Sequence, residues 1–334
     1  MSYFLNLDHP VYNSVYPLSE TYKTSFKNEY KIALIADLDT DSKETLDKTN
    51  HRYISYILRG TLTIYSDYKR AHVEFDRRPK QIDSLYSYGD RGMELSELIV
   101  YNGRLYACDD RTGVVYELND NKAIPWVVLI DGDGQSTNKG FKCEWMSVKD
   151  DLLYVGGLGK EWTTSTGELV NHNPQWIKII NHLGFIQHID WTANYNKMRQ
   201  VLGYSYPGYM IFESGVWNKN LNKWFFLPRR ASKKSYDEKL DEKRATNILI
   251  KTDANFEAVV GKNIGDINLI RGYSSFKFVP NLKDPNDHIV VALKTEEDSG
   301  RISTYITVFN INGLILLKDQ LVSDKYKYEG VEFV

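Results

Sequence analysis

The chain has 334 residues and a mass of 38.7 kDa, long enough to bury a full core. Its 42 Lys and Arg against 44 Asp and Glu leave a formal charge of −2, which excludes a general polyanion binder and with it sequence-independent nucleic-acid binding. The 22 Gly and 9 Pro are too few for a collagen-like or disordered chain, while 13% aromatic residues, led by 24 Tyr, favour strands.

Residues 1–30 are polar, Tyr-rich and irregular, and read as a tail packed on the surface. From Lys31 short apolar runs alternate with turns, which predicts a single β domain over 31–334 without a linker. The runs include Ile32–Ala36, Tyr53–Leu58, Gly60–Tyr65, His72–Phe75, Leu98–Tyr106 with its central Asn-Gly, Leu152–Val155, Trp224–Leu227, Asn247–Ile250, His288–Leu293 and Tyr305–Phe309. Only 185–205 and 233–245 have room for short helices. No stretch reaches the ~20 apolar residues of a membrane span, so none is expected. Met1–Pro10 lacks the basic start and apolar run of a signal peptide, leaving either an intracellular protein or a numbering that begins after processing. No Asn-x-Ser/Thr sequon occurs, so glycosylation gives secretion no support. Cys108 and Cys143 cannot form a CxxC metal site and leave the redox compartment open.

A repeat runs through these strands. An acid or Ser followed by an alternating apolar pattern occurs at Ser96, Glu144, Glu213, Ser274 and Glu329, spaced 48, 69, 61 and 55 residues apart. A four-stranded propeller blade takes about 40–50 residues, so the spacing fits blades with insertions. After Glu329 only one strand's worth of chain follows, which completes a blade by pairing with strands around 31–75. The expected fold is all-β, a five-bladed β-propeller whose N- and C-terminal strands share one blade and leave no exposed edge. A β-sandwich with accidental similarity is the alternative.

In a propeller the first strand of each blade lines the central channel, so Ser96, Glu144, Glu213, Ser274 and Glu329 converge there. Three carboxylates in one tunnel repel one another unless a cation intervenes, and an oxygen-only set suits Ca²⁺. The plain alternative is that each acid is solvated at its own strand. Asp37, Asp39 and Asp41 resemble the start of an EF-hand, but Ser42 and Lys48 stand at its sixth and twelfth positions; Asp131 and Asp133 fail in the same way. Asp37 and Asp39 share one face of a strand end, either as a base and water anchor or as a polar turn. Gly156–Lys160 looks like a phosphate loop without its spacing, and a tight turn explains the glycines equally well. There is no H-E-x-x-H and no G-x-S-x-G, so zinc-protease and serine-hydrolase chemistry have no support. The cationic candidates for gripping phosphate are Arg111, Lys160, Arg229, Arg230 and Arg301.

Longer strings carry a resemblance. Arg91–Ser96, Asp109–Tyr116, Tyr154–Thr163, Trp224–Ser232, Lys294–Arg301 and Lys327–Phe333 are similar to the calcium-activated nucleotidase, or soluble apyrase, family, from about Lys31 to the end of the sequence. The resemblance implies a five-bladed propeller with one Ca²⁺ in its tunnel and hydrolysis of nucleoside di- and triphosphates. By position, the calcium shell falls on Ser96, Glu144, Glu213, Ser274 and Glu329, and the essential acid pair on Asp37 and Asp39. Family members are secreted or reside in the secretory-pathway lumen. The sequence leaves a homodimer open. Glu97 follows Ser96 where Asp is also usual, and Cys108 and Cys143 stand where small or apolar residues are expected; they form either a bridge or two buried thiols. The competing function is a non-catalytic, calcium-stabilised propeller that binds a peptide or protein at its channel mouth. Such a scaffold has no need of the acid pair or the arginines.

Overall fold

The computed structural model describes residues 11–45, 51–282, 288–298 and 300–334, so the first ten residues of the expected tail lie outside the described residues. The described residues are nearly all β, arranged in several antiparallel sheets. In chain order come β1 (Lys27–Asp37), β2 (His51–Tyr65), β3 (Ala71–Phe75) and β4 (Lys80–Ser84). Then come β5 (Leu95–Tyr101), β6 (Arg104–Asp109), β7 (Val114–Asn119) and β8 (Lys122–Val128). A third group is β9 (Trp145–Lys149), β10 (Leu152–Gly156), β11 (Trp176–Ile180) and β12 (Ile186–Asp190), followed by helix α1 (Thr192–Val201). A fourth is β13 (Tyr209–Asn218), β14 (Lys223–Ser232), β15 (Ile248–Thr252) and β16 (Val260–Asn263), with the one-turn helix α2 (Glu238–Asp241) inside it. The last is β17 (Arg271–Phe278), β18 (Ile289–Asp298), β19 (Arg301–Asn310) and β20 (Ile315–Ser323), and β21 (Lys327–Phe333) ends the order.

Strand β21 returns to the first group and pairs antiparallel with β1, from Ile32 opposite Phe333 to Asp37 opposite Lys327. The other edge of β1 pairs with β2. A single parallel pairing, Lys122 opposite Asp83, joins the first two groups, together with β21 and the short strands Tyr22–Lys23 and Lys43–Thr45, into one eleven-stranded sheet. The helices fall within the two windows left for them. The tight turn between β5 and β6 is Asn102-Gly103, both at positive φ (50° and 69°), as a two-residue hairpin of this twist demands.

The alternation in β1 explains its position. Tyr30, Ile32, Leu34 and Ala36 pack with Val291, Ile306, Val308 and Phe333, whereas Ala33 and Ile35 pack with Leu95, Leu98, Val114 and Tyr116. Both faces are buried, one against the fifth group and one against the second. The same holds round the molecule. One core lies between the second and third groups, one between the third and fourth, and one between the fourth and fifth. The core between the fifth group and β1–β2 returns to the start. The leading strands also neighbour one another in succession: β5 with β9, β9 with β13, β13 with β17, β17 with β21, and β21 with β5.

Cys108 on β6 and Cys143 ahead of β9 are joined by a disulfide, their Cα atoms 6.1 Å apart. The bridge ties the second group to the third inside their shared core, beside Phe141, Met146 and Val155. Thiol titration of the denatured, unreduced protein is expected to find neither of these thiols free. Cys108→Ala/Cys143→Ala is expected to lower stability by about 3–4 kcal/mol, the chain-entropy value for a loop of this size. Two titratable thiols, or an unchanged melting curve, would contradict the bridge.

Candidate active site

The end of β1 sets the acid pair. Asp37 is the last residue of the strand, and Asp39 lies in the following turn at φ 48°, a left-handed conformation that brings its main chain back. Its N–H donates to Asp37 Oδ1 at 2.8 Å. The Lys327 ammonium, opposite on β21, lies 2.9 Å from Asp37 Oδ2 and 3.0 Å from Asp39 Oδ2. Burial alone would raise the Asp37 carboxyl, but Lys327 and the Asp39 N–H bring it net below its ordinary value. Asp39 is shifted the other way, upward, by burial and by the charge of Asp37. Its side chain is 55% exposed, against 3% for Asp37. Glu94 completes a trio: one oxygen from each of Asp37, Asp39 and Glu94 lies within 4.8 Å of the others. Arg91 holds Glu94 with two parallel contacts, Nε to Oε1 at 2.7 Å and a shorter one to Oε2.

The five repeat heads all lie on or next to the leading strands: Ser96 near the start of β5, Glu144 immediately before β9, Glu213 midway along β13, Ser274 midway along β17 and Glu329 near the start of β21. The carboxylates are brought into one electrostatic neighbourhood. Arg229 on β14 pairs with both Glu213 and Glu329, the latter at 3.1 Å. Glu144, buried and close enough to Glu213 and Asp110 to feel their charge, is pushed up to about 8 even though Lys142 lies 2.8 Å away. Glu329 is raised well above the carboxylate range by burial, with Asp37 and Glu213 adding to the shift against Lys327 and Arg229. The hydroxyls of Ser96 and Ser274 are buried without a hydrogen-bond partner among the described residues. Buried hydroxyls with unmet acceptor capacity, and buried carboxylates raised by one another's charge, are groups that a hard divalent cation satisfies.

The expected cations separate into those drawn in and those left outside. Arg229, Arg230 and Lys327 converge on Glu297 at the end of β18, at 3.0, 3.6 and 3.1 Å. Arg229 first, then Lys327, hold the Glu297 carboxyl well below its usual range, against the effect of burial. Arg230 also pairs with Asp241 of α2 at 2.9 Å. Lys160 lies close enough to Asp241 to feel its charge. Its ammonium donates to the Glu161 carbonyl at 2.7 Å and to Thr163 Oγ1 at 2.9 Å, and burial lowers it to about 8. Arg111 is exposed at a turn that Asp109 organises by accepting the N–H groups of Met93, Arg111 and Thr112. Arg301 is exposed at the start of β19.

Four residues of the cluster were not singled out from the sequence: Glu94, Glu297, Lys327 and Lys142. Three had a signal in the strings already quoted, and Lys142 in its spacing from Glu144. Glu94 lies two residues before Ser96, Lys142 two before Glu144, and Lys327 two before Glu329, the last pair sharing a face of β21. Glu297 belongs to the acidic run Glu296–Asp298, which reads as a solvated turn until its three partners are placed.

An all-β molecule that gathers acids, guanidinium groups and a lysine at one end of its leading strands has the equipment of a phosphate-handling enzyme. The apyrase family model matches residues 38–334. Soluble calcium-activated nucleotidase 1 of Rattus norvegicus is 48% identical over 97% of this chain and 78% of its own length. An apyrase of Cimex lectularius is 44% identical over 96% of this chain and 87% of its own, and one of Phlebotomus duboscqi 37% identical over 90% and 88%. The chain belongs to the apyrase family and is a nucleotide phosphohydrolase.

Proposed function

We propose that this protein hydrolyses nucleoside di- and triphosphates in a calcium-dependent reaction, at one mouth of a closed five-bladed β-propeller. The observation that carries the reading is the convergence of the repeat-head carboxylates with the Asp37/Asp39 pair and the Arg229, Arg230 and Lys327 cations. The closed ring is supported by the pairing of β1 with β21 and by a shared core between each sheet and the next, including the last and the first. The oxygens of Ser96, Glu144, Glu213, Ser274 and Glu329 would hold Ca²⁺, which suits them better than Mg²⁺ with its compact octahedron and tightly held waters. Bound there, Ca²⁺ offsets the charge of the polyphosphate and polarises its phosphoryl oxygen.

The roles of the side chains follow from their environments. Asp37, kept ionised by Lys327, orients Asp39 through the main-chain N–H. Asp39 is more exposed and has its proton affinity raised, so it takes the proton of the attacking water. Arg229 and Arg230, held by Glu297, stabilise the charge of the transferred phosphoryl group. Among the described residues no helix is long and apolar enough to cross a membrane. The disulfide favours an oxidising compartment, so the secretory route or the extracellular space is the proposed location.

The test is phosphate release from ADP. Chelation with EDTA is expected to abolish it, and Ca²⁺ but not Mg²⁺ to restore it. Glu213→Gln is expected to shrink the rise in melting temperature that Ca²⁺ produces, since a ligand bound to the folded state stabilises it by mass action. Equal restoration by both ions would overturn the metal assignment, and full activity in EDTA would overturn calcium dependence altogether.

A further inference from the structure

The loop between β4 and β5 borders the acid trio and carries three large exposed side chains in a row of four: Leu85 (74% exposed), Tyr86 (54%) and Tyr88 (46%). Exposed apolar residues scattered singly are ordinary, but a contiguous patch at the rim of a site is not. This loop is also firmly held. Tyr88 N–H donates to the Arg91 carbonyl at 2.8 Å, and Arg91 N–H returns to the Tyr88 carbonyl at 3.2 Å. The Tyr86 carbonyl packs so closely on Gly92 that a Cβ there would lie 2.4 Å from it. Asp90 accepts a bond from Tyr53 Oη at 3.0 Å and pairs with Lys43, just past the Asp39 turn. Arg91 then grips Glu94. The main chain that carries the two tyrosines is thus fixed in the loop that ends at Glu94 of the acid trio.

Other aromatic rings near the cationic side are already engaged. Lys160 lies over Tyr236 at 4.3 Å, Lys139 lies over Trp162 at 4.0 Å, and Tyr209 is buried with its hydroxyl on Asp241. Among the described residues no ring or cation lies over Tyr86 or Tyr88. A substrate whose phosphates occupy the charged cluster must lay its remaining part across the rim, and an open tyrosine face is what a nucleobase stacks on.

Building on the proposed nucleotide hydrolysis, we infer that Tyr86 and Tyr88 form the platform on which the substrate's nucleobase stacks. Stacking accepts any base because every base has a π-face, so the platform favours nucleotides over inorganic polyphosphates without choosing strongly among purines and pyrimidines.

The experiment compares ADP with tripolyphosphate, which has no base, used as a substrate or as a competitive inhibitor of ADP hydrolysis. In Tyr86→Ala/Tyr88→Ala, the preference for ADP over tripolyphosphate is expected to fall about tenfold, through a higher KM for ADP with kcat retained. Tyr86→Phe/Tyr88→Phe keeps both rings and is expected to keep the preference. An alanine variant with an unchanged preference overturns the inference, as does one that loses ADP and tripolyphosphate equally. Failure of the wild-type protein to hydrolyse ADP is a separate result, which overturns the proposed hydrolysis itself.

Discussion

Asp37→Asn is expected to lower kcat for ADP hydrolysis by about 10²–10⁴, the scale of a positioned acid–base group. The substitution keeps the shape of the side chain and removes the charge that faces Lys327 at 2.9 Å. Lys327 still has Asp39, Glu297 and Glu329 within 3.7 Å, so the buried ammonium is not stranded and the fold survives. Asp39→Asn is expected to produce a similar loss by removing the base itself. In the unmodified protein the rate should fall on acidification through the raised pKa of Asp39, because protonation takes away the acceptor. Steady-state phosphate release, with circular dichroism to confirm folding, checks these outcomes. Near-normal turnover in both asparagine variants would remove the acid pair from the mechanism.

Deleting residues 328–334 is expected to yield no soluble protein. The deletion removes Tyr328, Val331 and Phe333, each essentially fully buried, from the core that joins the fifth group to the first. Losses of about 2–5 kcal/mol per large buried side chain together match the 5–15 kcal/mol that keeps a typical domain folded. The deletion also bares the edge of β1 over Ile32–Ala36, an apolar strand with unpaired main-chain groups that invites aggregation. Expression followed by size-exclusion chromatography tests this. A soluble, monomeric and active truncation would show that the β1–β21 pairing is dispensable.

Much of the architecture was legible because strands advertise themselves locally. The period-2 runs at Ile32–Ala36 and Leu98–Tyr101, and the Asn102-Gly103 turn, depend only on neighbouring residues. The pairing of the two ends of the sequence was also legible, because a single strand left after Glu329 needs a partner. The tail was read as extending to residue 30, whereas β1 begins at Lys27: Lys27, Asn28 and Glu29 are polar and only half-buried, so they hide the start of the strand. The carboxylates at Glu144, Glu213 and Glu329 showed through their repeat. The ion-pair web did not. Glu297 meets Arg229, Arg230 and Lys327 across three different strands, and charge pairing of that kind leaves no period in a sequence. Arg111 and Arg301 look no different from Arg229 in sequence, each lying near a strand end. Their separation came from burial, which depends on which sheet packs over the residue.

The pairing of β1 with β21 joins residues roughly 300 apart in sequence. Hairpins such as β5–β6 close over a few residues and form early, whereas this contact must bring together segments separated by nearly the whole fold. During folding β1 therefore has β2 on one side and an open edge on the other until β21 arrives. Because Glu329 and Lys327 ride on β21, the cluster around Arg229 and Asp37 is incomplete for the same interval. A chain paused at that stage presents nearly all its strands but neither the full charged cluster around Arg229 nor the locked acid pair. On the proposed function, competence to bind calcium and to act on nucleotides is therefore expected only once β21 has docked, rather than in proportion to secondary structure.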